Sequence, residues 1–340
     1  MDPEKGEASV DPGGSVGTFF TVSDAGFFLG TVALLNSLRL TGHLHELVVL
    51  DCGFSERQRE ILEPHCRLIT FDRSQAVTPS CFKPFPHLLD PIGIVVIIDS
   101  DVIVTDSLQS ILDTAARGRV CAFADSSPSR WFRQWEDVFD LQSPPRHQTY
   151  VGSGFLALSV SHWPDLLPDW WSACQKLWNK AFERGMRNDP TQFPDQDSLN
   201  ALLMSEVPEG ALEVLPREWT PFGSLLTRVR VEDASVLKCS LRGEPTKLLH
   251  NSGEPKPWDP QLRAAWRKWR PAYVGLLRRV LAAPDVAVKV PSSQLPPWLR
   301  SGLRGAALER GISGAAFLRY RTYRVRSRWR RQLDRWRGTS

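Results

Sequence analysis

None of the six cysteines, at positions 52, 66, 81, 121, 174 and 239, forms a C-x-x-C pair. They stand in apolar or mixed stretches, which argues against a zinc site and for buried free thiols in a reducing compartment. No apolar run approaches the roughly 20 residues that a membrane-spanning helix requires. Residues 1–16 are acidic and rich in Gly and Pro where a leader would be charged and then apolar, so they are expected to be disordered and the protein to stay on the cytoplasmic side. Self-similarity at a fixed period is also missing, which excludes a solenoid. What is present is ordinary for a folded chain: 340 residues, 42% of them hydrophobic, enough for one large α/β domain or two smaller ones.

The net charge of +4 hides an uneven distribution. Residues 300–340 hold twelve arginines against Glu309 and Asp334. The tail therefore carries +10 and the rest of the chain −6, a pattern that draws polyanions such as acidic lipid or nucleic acid. On helical spacing, Leu318, Thr322, Val325, Trp329, Leu333 and Trp336 share one face and arginines fill the remainder. An apolar, aromatic stripe opposite arginine fits a helix lying on an anionic membrane surface, whereas nucleic acid would not need the stripe. A solvated or core-docked helix is the plainer alternative.

Between these ends the chain alternates. Thr18–Val22, Leu47–Leu50, Leu68–Phe71 and Ile92–Ile98 read as strands, with helices over Gly30–Leu40 and Ser55–Leu62, the latter capped by Ser55. Strand and helix in alternation predict an α/β fold whose mainly parallel sheet is covered on both faces, with the Ile/Val-rich segment at its centre. Farther on, Gly154–Val160 reads as a strand, Asp197–Met204 as a helix and Thr246–His250 as a short strand. Trp170, Trp171 and Trp178 recur with Leu167, Cys174, Leu177 and Phe182 at helical spacing, so they read as core and not as a sugar platform. The domain is expected to span 17–280, followed over 281–340 by a Pro-containing linker and the arginine-rich tail.

Asp99-Ser100-Asp101 follows the central strand directly. Ligands of open α/β sheets bind beyond the carboxyl ends of the strands, so two carboxylates at i and i+2 there can share a hard cation that bridges a diphosphate. Taken alone, the motif reads equally well as a turn cap beside a solvated acid. A second motif, His250-x-x-Gly253-x-x-Lys256-Pro257-Trp258, changes that balance. Histidine at a strand end supplies a third ligand, glycine allows close approach to phosphate, and lysine adds a point charge.

With these motifs in order, and with the Asp24 turn, Tyr150–Leu158 and Asp195-Gln196-Asp197-Ser198-Leu199-Asn200, the chain resembles the glycogenin-like family 8 glycosyltransferases over residues 17 to 260. That family includes bacterial lipopolysaccharide galactosyl- and glucosyltransferases. The resemblance implies a GT-A fold, a UDP-sugar donor, a manganese or magnesium ion, and retention of anomeric configuration. Carried over, it places Asp99, Asp101 and His250 on the metal, with Gly253 and Lys256 at the diphosphate. Thr21, Val22, Asp24 and Phe27 would line the uridine pocket, and Asp99 with Ser100 would also belong to the donor site. Lys83 matches a basic residue on donor phosphate or sugar; its plain reading is a solvated lysine before Pro84. Asp195 and Gln196 match an acidic-amide pair beside the anomeric carbon, the amide oxygen facing the developing oxocarbenium charge; the plain reading makes Asp195 or Asp197 a helix cap. The chain departs from the family at Gly152, where asparagine is usual, and Ser153 is expected to take over that contact. No tyrosine corresponds to glycogenin's self-glucosylated one, so a glycan, lipid-linked or small-molecule acceptor is expected.

Two rival readings exist. Haloacid-dehalogenase-like phosphatases also carry D-x-D after an apolar strand, with the first Asp as nucleophile. Ile103 stands where they need Thr or Val, and the His-Gly-Lys spacing has no role in their chemistry. A nucleic-acid-binding protein led by the tail is the non-enzymatic alternative.

Overall fold

The computed structural model describes residues 17–316 apart from 73, 75, 77, 180–188, 263–265 and 267–268. From the first described residue the chain alternates: β1 (Gly17–Ser23), α1 (Phe28–Leu40), β2 (Leu47–Asp51), α2 (Glu56–Leu62), β3 (Arg67–Thr70), β4 (Ile94–Ile98), β5 (Val102–Val104), α3 (Gln109–Ala116) and β6 (Val120–Ala124). Then come α4 (Trp135–Phe139), β7 (Val151–Ser159), α5 (Leu166–Gln175), α6 (Pro194–Ser205) and β8 (Leu212–Leu215). A peripheral meander of β9 (Arg230–Asp233), β10 (Lys238–Leu241) and β11 (Glu244–Pro245) precedes β12 (Leu248–His250) and α7 (Pro271–Ala282).

Seven strands form the main sheet in the order β3-β2-β1-β4-β7-β6-β8, which puts β4 in the middle as its composition predicts. All five of its residues are buried, each side chain contributing about 1.5–3 kcal/mol through removal from water. Ile92, expected to open this strand, is 79% exposed and lies outside it. Pairing is parallel except for β7, which runs antiparallel to β4 and β6. Strand alternation divides the core in two: Phe19, Ile94, Val96 and Ile98 face α1, α3 and α7, while Phe20, Val95 and Ile97 face α5 and α6.

Local signals hold where they are strong. Ser55 caps α2 in a full capping box with Gln58. Trp170 and Trp171 are core residues; Phe182 lies outside the described residues. All six cysteines are free, and burial pushes the Cys66, Cys121 and Cys239 thiols up to about 12, which leaves them unreactive.

The boundary expected at 280 needs correction. Asn36, fully buried in α1, donates to the Val280 and Val288 carbonyls at 2.8 and 2.9 Å and accepts the Val288 N–H at 2.8 Å. Val288, Trp298 and Leu299 join the same core as α1. Residues 281–299 are thus part of the domain and no linker, because one buried amide needs their backbone to satisfy it. A helix over 302–316 follows. Residues 1–16, and the arginine stripe from Leu318 onward, lie outside the described residues.

Candidate active site

β1 and β4 run side by side and end on the same edge of the sheet, and β7, being antiparallel, begins there. Their ends, with the first turn of α6 and the strand β12, surround a cleft of about 810 Å³. It stands beyond the strands' carboxyl ends, where the sheet topology predicts a ligand. All the expected site residues except Thr21 line it: Val22, Asp24, Phe27, Lys83, Asp99, Ser100, Asp101, Asp195, Gln196, His250, Gly253 and Lys256. Thr21 is 1% exposed inside β1, so its side chain is core; its hydroxyl has no partner among the described residues.

Asp99 and Asp101 sit between β4 and β5. β5 pairs antiparallel with β12, setting Val102 opposite His250 and so delivering the imidazole to the two carboxylates. Ligand atoms of Asp99, Asp101 and His250 all lie within 4.8 Å of one another. His250 Nε2 is 3.1 Å from Asp101 Oδ1 and 3.6 Å from Asp99 Oδ2. Burial works against a charged imidazole, but the two carboxylates outweigh it and raise the His250 pKa above its ordinary value. Burial likewise works against the Asp101 carboxylate, and Lys256 and His250 overcome it, holding that acid well below the usual range. Two oxygen donors and an imidazole are a set suited to manganese or magnesium.

Lys256 is ion-paired with Asp101, donates to the Asn251 carbonyl at 3.2 Å and lies 4.8 Å over the Phe27 ring. Gly253, three residues earlier, has φ +74°, a backbone conformation that any Cβ would strain. Tyr273 of α7 donates to the Asp101 carbonyl at 2.8 Å, fixing the backbone of the motif from beneath. No local pattern betrays that role, since the two residues are 172 apart.

The acidic-amide pair is built by α6. Pro194 opens the helix, and Asp195 in its first turn gains from the helix dipole. Asp195 is no cap: its carboxylate accepts from Ser80 Oγ (2.9 Å), Ser153 Oγ (2.6 Å) and Lys83 Nζ (3.0 Å). Burial would raise its pKa, but Lys83 and the hydroxyls prevail and hold it below the ordinary value. Lys83 is buried, not solvated; it also pairs with Asp99 at 2.8 Å and so ties the Asp99-Ser100-Asp101 motif to the acidic pair.

Asp197 is the structural member. It is fully buried, accepts the Phe193 N–H at 2.8 Å, and takes both Arg130 Nε (2.7 Å) and Nη2 (2.8 Å) as well as the Tyr150 hydroxyl (2.7 Å). Beside it, Gln196 Oε1 accepts the Ser153 N–H at 3.1 Å. Asn200 closes both backbone groups of Val151 at 2.8 Å and so docks α6 onto the start of β7. Arg130 is a residue that sequence reasoning missed, being 67 positions from its partner with no motif around it.

Ser153 lines the cleft beside Gly152. Its hydroxyl accepts from Lys83 at 3.1 Å, and its single hydrogen goes to Asp195. Gly152 remains open: a Cβ there would come no closer than 3.7 Å, to Gln196 Oε1. Gly154 is the opposite case, because a Cβ would lie 2.7 Å from His250 Cε1 and 2.9 Å from Asp99 Oδ2.

Comparison with solved structures gives the same fold. The bifunctional glycosyltransferase WbbM matches with TM-score 0.51 and 18% identity over 82% of this chain, which spans about half (51%) of the WbbM chain. The galactosyltransferase LgtC, in complex with donor and acceptor sugar analogs, matches with TM-score 0.52 and 18% identity over 79% of this chain and 98% of its own. An active-site mutant of LgtC matches likewise, with TM-score 0.52, 17% identity, and coverage of 81% and 98%. No curated protein sequence matches. The model of "Glycosyl transferase family 8" matches residues 84–261, more than half of the chain and the stretch that holds Asp99, Asp101, Asp195, Gln196, His250 and Lys256. The fold is GT-A, and this glycosyltransferase belongs to family 8.

Proposed function

We propose that the protein transfers a hexose from a UDP-linked donor to a glycan, lipid-linked or small-molecule acceptor, with retention of configuration and with manganese or magnesium as cofactor. The observation that carries this reading is convergence: the Asp99, Asp101 and His250 ligand set, Lys256, and the Asp195–Gln196 pair all line one cleft. Asp99, Asp101 and His250 would hold the ion, which when bound neutralises charge growing on the leaving diphosphate. Lys256 adds a buried positive charge to the same group, and the left-handed backbone that glycine permits at Gly253 lets main-chain atoms approach it. Val22, Asp24 and Phe27, at the end of β1, form the wall on which uridine rests. Gln196 Oε1 has one lone pair engaged by the Ser153 N–H, leaving the other to face positive charge at the anomeric carbon. With Asp195 committed to three donors, the path we favour is front-face, the departing diphosphate taking the acceptor's proton.

The test is a screen of UDP-, ADP- and GDP-linked hexoses for release of nucleotide by the purified full chain. A UDP-hexose is expected to be turned over with manganese or magnesium, to stop in EDTA and to recover on adding the ion back. Equal rates in EDTA would sink the metal assignment, and turnover of only another nucleotide's sugar would sink the donor assignment.

The arginine-rich tail supports a second role, attachment to the anionic inner face of a membrane. Each arginine near such a surface contributes on the order of 1 kcal/mol. A chain ended after residue 316, which keeps the packed segment 281–299, is expected to turn over donor but no longer to sediment with acidic vesicles. Undiminished sedimentation would remove the tail from membrane binding.

A further inference from the structure

Asp195 does not reach the cleft as a free side chain. Ser80 comes from the short helical turn Pro79–Phe82 and Ser153 from β7, and they grip the carboxylate from two sides. Lysine can only donate, so the contact between Lys83 Nζ and Ser153 Oγ has one direction. The Ser153 hydroxyl accepts there and must spend its one hydrogen on Asp195 Oδ2. Lys83 donates to the same Oδ2 at 3.0 Å. Oδ2 thus has both of its lone pairs occupied. Among the described residues Oδ1 receives only the Ser80 hydroxyl, which leaves it one acceptor position. Asp195 lines the cleft with its side chain 11% exposed.

Building on the donor-site reading above, we propose that Ser80 and Ser153 are positioning residues that hold the Asp195 carboxylate in one orientation, so that Oδ1 offers a single acceptor site to one hydroxyl of the donor sugar. Three donors from two segments, Ser80 and Lys83 of the Pro79–Phe82 turn and its end and Ser153 of β7, define the plane of the carboxylate. Ser153 does more than this, because its backbone N–H also fixes Gln196 Oε1, so a single residue sets the register of the neighbouring pair. The consequence is selectivity. A carboxylate with one open lone pair rewards one correctly placed hydroxyl and gives nothing to a sugar that lacks it. Neither serine touches the metal-ligating group directly, so their contribution belongs to the sugar and not to the nucleotide.

The experiment compares wild type with Ser80→Ala, Ser80→Thr and Ser153→Ala. UDP affinity with manganese is measured by calorimetry, and kcat and KM are measured for the best donor and for its monodeoxy analogues. Wild type is expected to discriminate strongly against one deoxy analogue. In Ser80→Ala and Ser153→Ala, kcat on the full donor should fall roughly tenfold, as a modest misplacement of a catalytic group costs, while UDP affinity stays within about twofold. The penalty for that one deoxy analogue should shrink in step, and Ser80→Thr, which keeps the hydroxyl, should restore both. Unchanged turnover in both alanine variants, or a uniform loss across all donors that Thr does not rescue, would overturn the proposal. Failure of wild type to bind UDP would instead overturn the donor-site reading on which it rests.

Discussion

Replacing Asp101 with asparagine is expected to cut metal-dependent turnover about a thousandfold, which corresponds to about 4 kcal/mol of lost transition-state stabilisation. The substitution keeps the shape and removes the charge. Asp101 is 4% exposed, pairs with Lys256 through one oxygen and lies 3.1 Å from His250 Nε2 through the other. Its neutral amide would weaken the proposed ion site and leave the buried Lys256 ammonium without its partner, so the diphosphate loses two sources of compensation at once. His250→Ala should fall in the same range, for the ligand alone. Steady-state rates across a manganese titration check this. A rate above half of wild type at saturating metal would show that Asp101 does not serve the ion.

Gly154→Ala should be nearly as damaging, although it removes no functional group. The added methyl would meet His250 and Asp99 at distances that real Cβ atoms do not show, so one or both ligands must move. Because geometry at a reacting centre is steep, a displacement of about 1 Å costs on the order of a hundredfold in rate. Thermal stability should change little by comparison, since alanine is a better strand residue than glycine. Gly152→Ala, with no contact closer than 3.7 Å, should lose far less. Equal activities for the two variants would mean that the approach of β7 to the ligands has no bearing on catalysis.

Much of this site is legible in the sequence because its elements announce themselves locally. The Ile/Val run Ile94–Ile98 marks the central strand, and the carboxylates that follow must then stand at the sheet's carboxyl edge. His250 and Lys256 fall within seven residues and could be read as one motif. What is not legible is whatever depends on distant packing. Arg130 finds Asp197, and Tyr273 finds the Asp101 carbonyl, only after the chain has folded, and neither carries a local pattern. Thr21 and Val22 both read as pocket residues, but strand alternation turns Thr21 into the core and leaves Val22 on the cleft. The domain boundary failed for a related reason. Prolines between 284 and 297 look like linker composition, yet Val288 and Trp298 are buried by the first helix and its neighbours.

The bond between Asn36 and Val288 spans 252 positions. A ribosome adding about 5–20 residues each second needs roughly 10 to 50 seconds to cover that distance. Throughout that interval α1, eleven of whose residues are buried in the finished protein, has no partner on one of its sides. Assembly of this enzyme therefore waits for residues 280–299, and the nascent molecule carries an apolar helix that must be kept from other chains until that segment arrives to cover it.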